Sequence, residues 1–355
     1  MVNQQTLRIT PPQSYESARA DFIKMCDSPQ YHHTFYEHPL VGMSGETLGI
    51  DVAITSNKNA QNLVIIISGT HGVEGYLGSM VQTQLLERYR QCDLSNTNIM
   101  CVHALNPYGF SFGMRVNEDN VDVNRNFTDF NGDLPINRNY QRVHDILYHA
   151  DDEHIDIDRN LKHFFTSPQL AENIHALTLG QHTCDDGLFF GGKASSWSRS
   201  VLEKIITSHT ASVDKTVVVD IHTGLGKYGY GQPMSFSPAN SIDLLRTKTI
   251  FGPSLGAPKE SQQISSDIDG NLYDGIARCY QGTELTSIAL EFGTYTESVI
   301  LKELLTESVL RNKSGSPTDY SPLRDCFFIQ RDDWLEMALF RSQQVISQAI
   351  TYLEG

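Results

Sequence analysis

Nothing in this chain is apolar for long. No uninterrupted apolar run comes near the roughly 18–20 residues that a membrane-spanning helix needs. Met1–Tyr15 is polar, with Gln4, Gln5 and Pro11 where a secretory leader would carry its apolar core. The expectation is a soluble, cytoplasmic protein with no membrane partner. Positive charge is also scarce: 27 Lys and Arg stand against 42 Asp and Glu, a formal net charge of −15. Such a surface repels phosphates and argues against a nucleic-acid partner, although the total says nothing about the potential inside one pocket. Paired cysteines are missing. Cys26, Cys92, Cys101, Cys184, Cys279 and Cys326 are scattered with no CxxC, which reads as reduced thiols and excludes a cysteine-built zinc site. Internal repeats, low-complexity blocks and long linkers are absent too. A single domain over residues 1–355 is therefore expected, with its motif-bearing core at about 40–350.

What is present suits an ordinary packed core, since 39% of residues are hydrophobic. The richest apolar runs are short and β-branched: Leu63 to Ile67, Ile99 to Val102, Thr216 to Val219 and Ile288 to Leu290. Each has the length of a strand buried on both faces. Helical periods lie between them, at Tyr76–Arg90 (Leu77, Met80, Val81, Leu85, Leu86), Tyr140–Tyr148 and Ser200–Ile206. The tail Asp332–Leu353 reads as an amphipathic helix packed on the sheet. Alternating strands and helices predict an α/β fold with helices on both faces of the sheet. Asp129–Asn139 and Ser261–Gly270 read as surface loops, the second bordering a pocket.

In such sheets ligands bind beyond the carboxyl ends of the strands. The residues that follow each strand therefore carry the information. After Leu63–Ser68 comes Gly69-Thr70-His71-Gly72-Val73-Glu74-Gly75, and after Ile99–Leu105 comes Asn106-Pro107-Tyr108-Gly109. Thr216–Ile221 ends in His222-Thr223-Gly224, and Ile288–Leu290 ends in Glu291-Phe292-Gly293. Two histidines and two glutamates thus share one sheet edge. Two neutral imidazoles and one carboxylate form a zinc ligand set for hydrolases, the fourth position being left for water. His71 and Glu74 converge if a tight turn between them enters a helix, and His222 closes the set from a distant strand. Glu291 is placed to take the water proton and pass it to a leaving nitrogen. A further segment, Met114-Arg115 followed by Asp122-Val123-Asn124-Arg125-Asn126-Phe127, brings cations. One arginine there can meet an oxyanion, an Asn–Arg pair can grip a carboxylate, and Asp122 can accept the free ring N–H of a ligand histidine.

HxxE after a strand, NP-x-G, an arginine, D-x-NR-N-F, a strand ending in His and a strand ending in Glu occur in this order over about Leu63–Tyr295. The ordered set resembles the carboxypeptidase A-like zinc metallopeptidase family, closest to a bacterial branch of mostly unassigned substrate. The resemblance implies a mixed, mostly parallel, eight-stranded twisted sheet between helices. It implies one zinc per chain on His71, Glu74 and His222, and Glu291 as general base. It also implies Arg115 at the scissile carbonyl, and Asn124 and Arg125 on a substrate's terminal carboxylate. The substrate expected is a small peptide. The interval between Arg115 and Asn124 is short and closer to related deacylases that cleave succinylglutamate or acetylaspartate, so an N-acyl amino acid is the alternative. Those deacylases carry a β-rich region after the catalytic Glu, whereas here the residues after Glu291 read as helix and loop. Digestive members place a tyrosine before that Glu, a role for which Tyr273 and Tyr280 are both candidates.

Each residue also has a blander reading. His71 and Glu74 suit a polar turn at a helix start; His222 suits a hydrogen-bonded strand end, Glu291 a salt bridge, and Asn124-Arg125 a loop tie. His103, inside a strand, reads as a core histidine, and His32, His33, His38, His144, His149, His154, His163, His175, His182 and His209 receive no role. Gly191-Gly192-Lys193 lacks Walker spacing, and Asp151-Asp152-Glu153 reads as a solvated patch. A third reading belongs to another class: a catalytically silent protein that holds a carboxylate ligand. The presence of ligand, base and oxyanion residues together argues against it.

Overall fold

The computed structural model describes residues 10–90, 94–151, 154–256, 268–317 and 320–355. The four apolar runs form the middle of one sheet: β3 (Asn62–Ser68), β4 (Thr97–His103), β7 (Lys215–Tyr228) and β9 (Glu284–Gly293). They lie parallel in the order β4-β3-β7-β9. Three antiparallel strands complete it, β1 (Tyr31–Val41) and β2 (Thr47–Thr55) beyond β4, and β8 (Gly231–Ser235) beyond β9. The expected mixed α/β architecture is therefore present, with seven strands in this sheet among the described residues. A separate ladder of two-residue strands joins β5 (Ala150–Asp151) to β6 (His154–Ile155).

Alternation along the central strands feeds two cores. Val64, Ile66, Val217, Val219, Ile288 and Leu290 pack under α1 (Tyr15–Cys26), α2 (Gly75–Tyr89), α8 (Ile242–Phe251) and the terminal helix α12 (Asp332–Glu354). Leu63, Ile65, Ile67, Val218 and Ala289 face α7 (Trp197–Thr210) and α9 (Leu272–Cys279). The period of two then decides where the strand ends point: Asp220 and His222 share a face with Val218, and Glu291 shares one with Ala289. A third apolar cluster gathers α4 (Tyr140–Leu147), α5 (Ile157–Phe165), α6 (Leu170–Thr178), α10 (Glu297–Ser314) and α11 (Ser321–Phe327) around Val73. The residues after Glu291 are helical, as the sequence suggests. Residues 129–139 carry neither helix nor strand. Of the second expected loop, Ser261–Gly270, most lies outside the described residues, as do Cys92 and part of the acidic patch. The other five cysteines are free thiols. No described helix is long and apolar enough to cross a membrane.

Candidate metal centre

The turn after β3 carries two of the predicted residues. His71 is extended and begins a single 3-10 turn, Gly72–Glu74, that runs straight into α2. Gly72 is required there: a Cβ would lie 2.0 Å from the backbone of Gly109, in the short helix α3 (Pro107–Ser111). Asn106 of the NP-x-G segment caps α3 and also donates to the Arg115 carbonyl. Gly72 and Val73 N–H groups donate to the carbonyls of Arg115 and Met114. The Arg115 segment is thereby tied to the His71 turn by backbone bonds. From the other side, His222 and Glu291 are register partners on adjacent parallel strands.

These elements bring His71, Glu74 and His222 together. One ligand atom of each lies within 4.8 Å of the others, and all three residues are buried. Both rings turn Nδ1 toward Glu74: His71 Nδ1 is 2.8 Å from Oε1 and His222 Nδ1 is 3.1 Å from Oε2. Both rings have a carboxylate behind Nε2. For His71 it is Asp122, at 3.3 Å; for His222 it is Asp220, at 2.6 Å. Arg115 donates to Asp122 (2.9 Å) and Glu74 (3.3 Å), and its Nη2 lies 2.8 Å from His71 Nε2. Glu291 accepts from the Leu225 N–H at 3.0 Å.

The other predicted residues are less open. Asn124 Oδ1 accepts from Leu272 N–H, and Arg125 donates to the carbonyls of Asn124 and Thr178. Both guanidiniums lie over one ring: Arg115 and Arg125 Cζ are 5.1 and 5.5 Å from the centroid of Phe189, whose backbone is left-handed (φ 56°). Of the two candidate tyrosines, Tyr280 bonds Thr216 and the Glu284 carbonyl at the far ends of β7 and β9, away from the site. Tyr273 lies behind His222, its hydroxyl 3.5 Å from Asp220 and 3.4 Å from His222 Nε2. Thr70, Asp220 and Phe189 were not singled out in the sequence. The spacing Asp-x-His inside a strand was the available signal for Asp220, because it puts both side chains on one face.

Burial raises the Glu74 carboxyl, but the two histidines outweigh it and hold it below the usual range. Burial likewise opposes ionisation of Asp122, and Arg115 and His71 overcome it. Burial lowers His222 less than Asp220 and Glu74 raise it. Glu291 differs: burial, reinforced by the charge of Glu74, pushes it up to about 7. Among the described residues these four acidic side chains, Glu74, Asp122, Asp220 and Glu291, meet two guanidiniums, Arg115 and Arg125, so the remaining balance of buried charge falls to the two imidazoles or to a divalent ion held by them. Two imidazole nitrogens and a carboxylate, with Asp220 backing His222 and Asp122 near the outer nitrogen of His71, fit a divalent ion of the zinc type.

Residues 12–341 match a family described as "Protein of unknown function (DUF2817)". The chain belongs to DUF2817. No curated protein matches its sequence. Among solved structures, this DUF2817 chain is similar to the carboxypeptidase A from Helicoverpa armigera, with TM-score 0.53 and 14% identity over 97% of this chain and 74% of that one. It is also similar to bovine thrombin-activatable fibrinolysis inhibitor in complex with tick carboxypeptidase inhibitor, with TM-score 0.52 and 10% identity over 96% and 97%. A succinylglutamate desuccinylase from Chromobacterium violaceum aligns over 98% and 75% at 13% identity, but with TM-score 0.44 it is too distant to distinguish a deacylase from a peptidase. The first two likenesses establish a carboxypeptidase-like fold for the DUF2817 chain.

Proposed function

We propose that this DUF2817 chain is a zinc-dependent hydrolase that cleaves a peptide or peptide-like amide next to a free carboxylate. The observation that carries the reading is the convergence of His71, Glu74 and His222 beside Glu291 at one sheet edge. His71 Nδ1, His222 Nδ1 and Glu74 would hold the ion. Bound zinc supplies a water of lowered pKa and a Lewis acid for the carbonyl. Glu291 takes the water proton and returns it to the leaving nitrogen, for which a carboxyl near pKa 7 is well matched. Arg115, anchored through Asp122, offers N–H groups to the developing oxyanion. Asn124 and Arg125 grip the substrate's carboxylate, with Phe189 beneath both arginines. A cytoplasmic location and one domain over residues 1–355 belong to the same reading.

The test is elemental analysis of purified protein beside His71→Ala, followed by a panel of peptides and N-acyl amino acids. About one zinc per chain, absent from the variant, with release of C-terminal residues from peptides, is the expected result. Turnover of N-acyl amino acids alone would move the assignment to a deacylase, the reading that the short Arg115–Asn124 interval favours. No stoichiometric metal after incubation with zinc would overturn the hydrolase and leave a carboxylate-binding protein.

A further inference from the structure

The two histidines of the centre are backed differently. Asp122, behind His71, is paired with the Arg115 guanidinium. Asp220, behind His222, has no Arg or Lys partner among the described residues. It is fully buried and held by neutral groups: Thr70 Oγ1 donates to Oδ1 at 2.8 Å, and the Tyr273 hydroxyl makes a longer contact, 3.5 Å, to Oδ2. Oδ2 also lies 2.6 Å from His222 Nε2, the shorter of the two carboxylate–histidine contacts. Thr70 immediately precedes His71, so the hydroxyl that orients Asp220 comes from the strand end carrying the other ligands. The Tyr273 ring is fixed on Phe236, stacked at 4.3 Å and 11°.

A carboxylate with no cation of its own is a stronger acceptor than one already neutralised. Facing Nε2, it fixes the proton there, leaves the Nδ1 lone pair free on the Glu74 side and makes that nitrogen more basic. We propose that Asp220, braced by Thr70 and Tyr273, is a positioning residue that presents His222 Nδ1 to the metal and sets how tightly the ion is held. The inference rests on the metal-site reading above. It assigns Tyr273 to the support of the site, not to contact with the substrate.

The test uses the full chain and two probes, zinc in competition with a chromogenic chelator and the visible spectrum of the cobalt-substituted protein. Asp220→Asn keeps the shape but removes the charge, and zinc affinity is expected to fall by about 10–100-fold. Tyr273→Phe removes one oxygen and keeps the stacked ring. It is expected to weaken zinc in the same direction by less, and it carries the test should Asp220→Asn fail to fold. Both should shift the cobalt spectrum, which a loss of stability alone would not do. Tyr280→Phe, whose hydroxyl lies at the other end of the strands, should match the wild type. Wild-type affinity and spectrum in both Asp220→Asn and Tyr273→Phe, with metal lost in His71→Ala, would overturn the inference and leave the metal site standing. No stoichiometric zinc or cobalt in the wild type would overturn both.

Discussion

Two buried clusters in this sheet contain the same residue types and arrange them differently. Under α1, Asp51 of β2 takes Arg19 at 2.6 Å and His33 at 2.8 Å, and its register partner on β4 is His103. His103 is stacked on Phe22, bonded to Ser79, and pushed down to about 4 by burial, so it is neutral. One carboxylate is matched by one guanidinium, and the histidines point to different partners. At the strand ends the opposite holds. Carboxylates outnumber guanidiniums, and two imidazole nitrogens aim at one carboxylate. A histidine, an arginine and a buried acid do not by themselves mark a site. What sets the strand-end cluster apart is an excess of acids over guanidiniums, with two ring nitrogens turned to one carboxylate.

That contrast breaks first at Glu291. Glu291→Gln removes the proposed base and leaves the three proposed ligands. The expected outcome is a loss of kcat toward the upper part of the roughly 10²–10⁴-fold range for general base catalysis, with zinc still bound at wild-type stoichiometry. Full hydrolysis by the variant would remove Glu291 from the mechanism. Arg115→Ala comes next. Losing one donor to an oxyanion costs roughly 10²–10³-fold in kcat, and Asp122 also loses its partner, so some weakening of metal binding should accompany it. A change confined to KM would place Arg115 on the ground-state substrate instead.

The two clusters were not equally legible. Leu63 to Ile67 stands out because a strand covered on both faces must be apolar at every position, and the site turn follows it directly. The strand holding the second cluster did not stand out: β2 is broken as a pattern by Gly49 and Asp51, and what makes Asp51 tolerable there is Arg19 from a helix that lies before it in the sequence. β1 is a largely polar edge strand, and β8 carries Pro233 in only five residues, so neither has an apolar run to read. In the site, His71, Glu74, His222 and Glu291 were legible as strand-end residues. The supports were not. Thr70 and Asp220 lie inside or beside apolar strands, and Tyr273 reaches them from α9, a proximity that exists only once the layers have packed.

The pH dependence sharpens the comparison with a smaller effect. Glu291 is raised to about 7 by burial and by Glu74, while Glu74 itself is held low. A base works when ionised, so a raised pKa removes activity as pH falls. kcat/KM should decline on the acid side with a limb at or below about 7, because a bound cation beside the carboxyl draws its pKa down, and each pH unit below the limb should cost about tenfold. The limb should vanish from whatever activity Glu291→Gln retains. If it persists there unchanged, another group is titrating.

The smallest effect on activity belongs to the second cluster, which is why it is the informative control. Asp51→Asn leaves Arg19 without its counter-charge, and losing hydrogen bonds to a buried charged group costs roughly 1.5–3 kcal/mol of stability. Chemical unfolding should show that loss. Zinc content and kcat per folded molecule should stay at wild-type values, because Asp51 is tied to Arg19 of α1 on β2, whereas the proposed ligands and Glu291 stand at or just beyond the ends of β3, β7 and β9. A loss of bound metal in Asp51→Asn would mean that the two clusters communicate through the sheet. The charge surplus at the strand ends would then no longer suffice as the feature that separates a site from an internal ion pair.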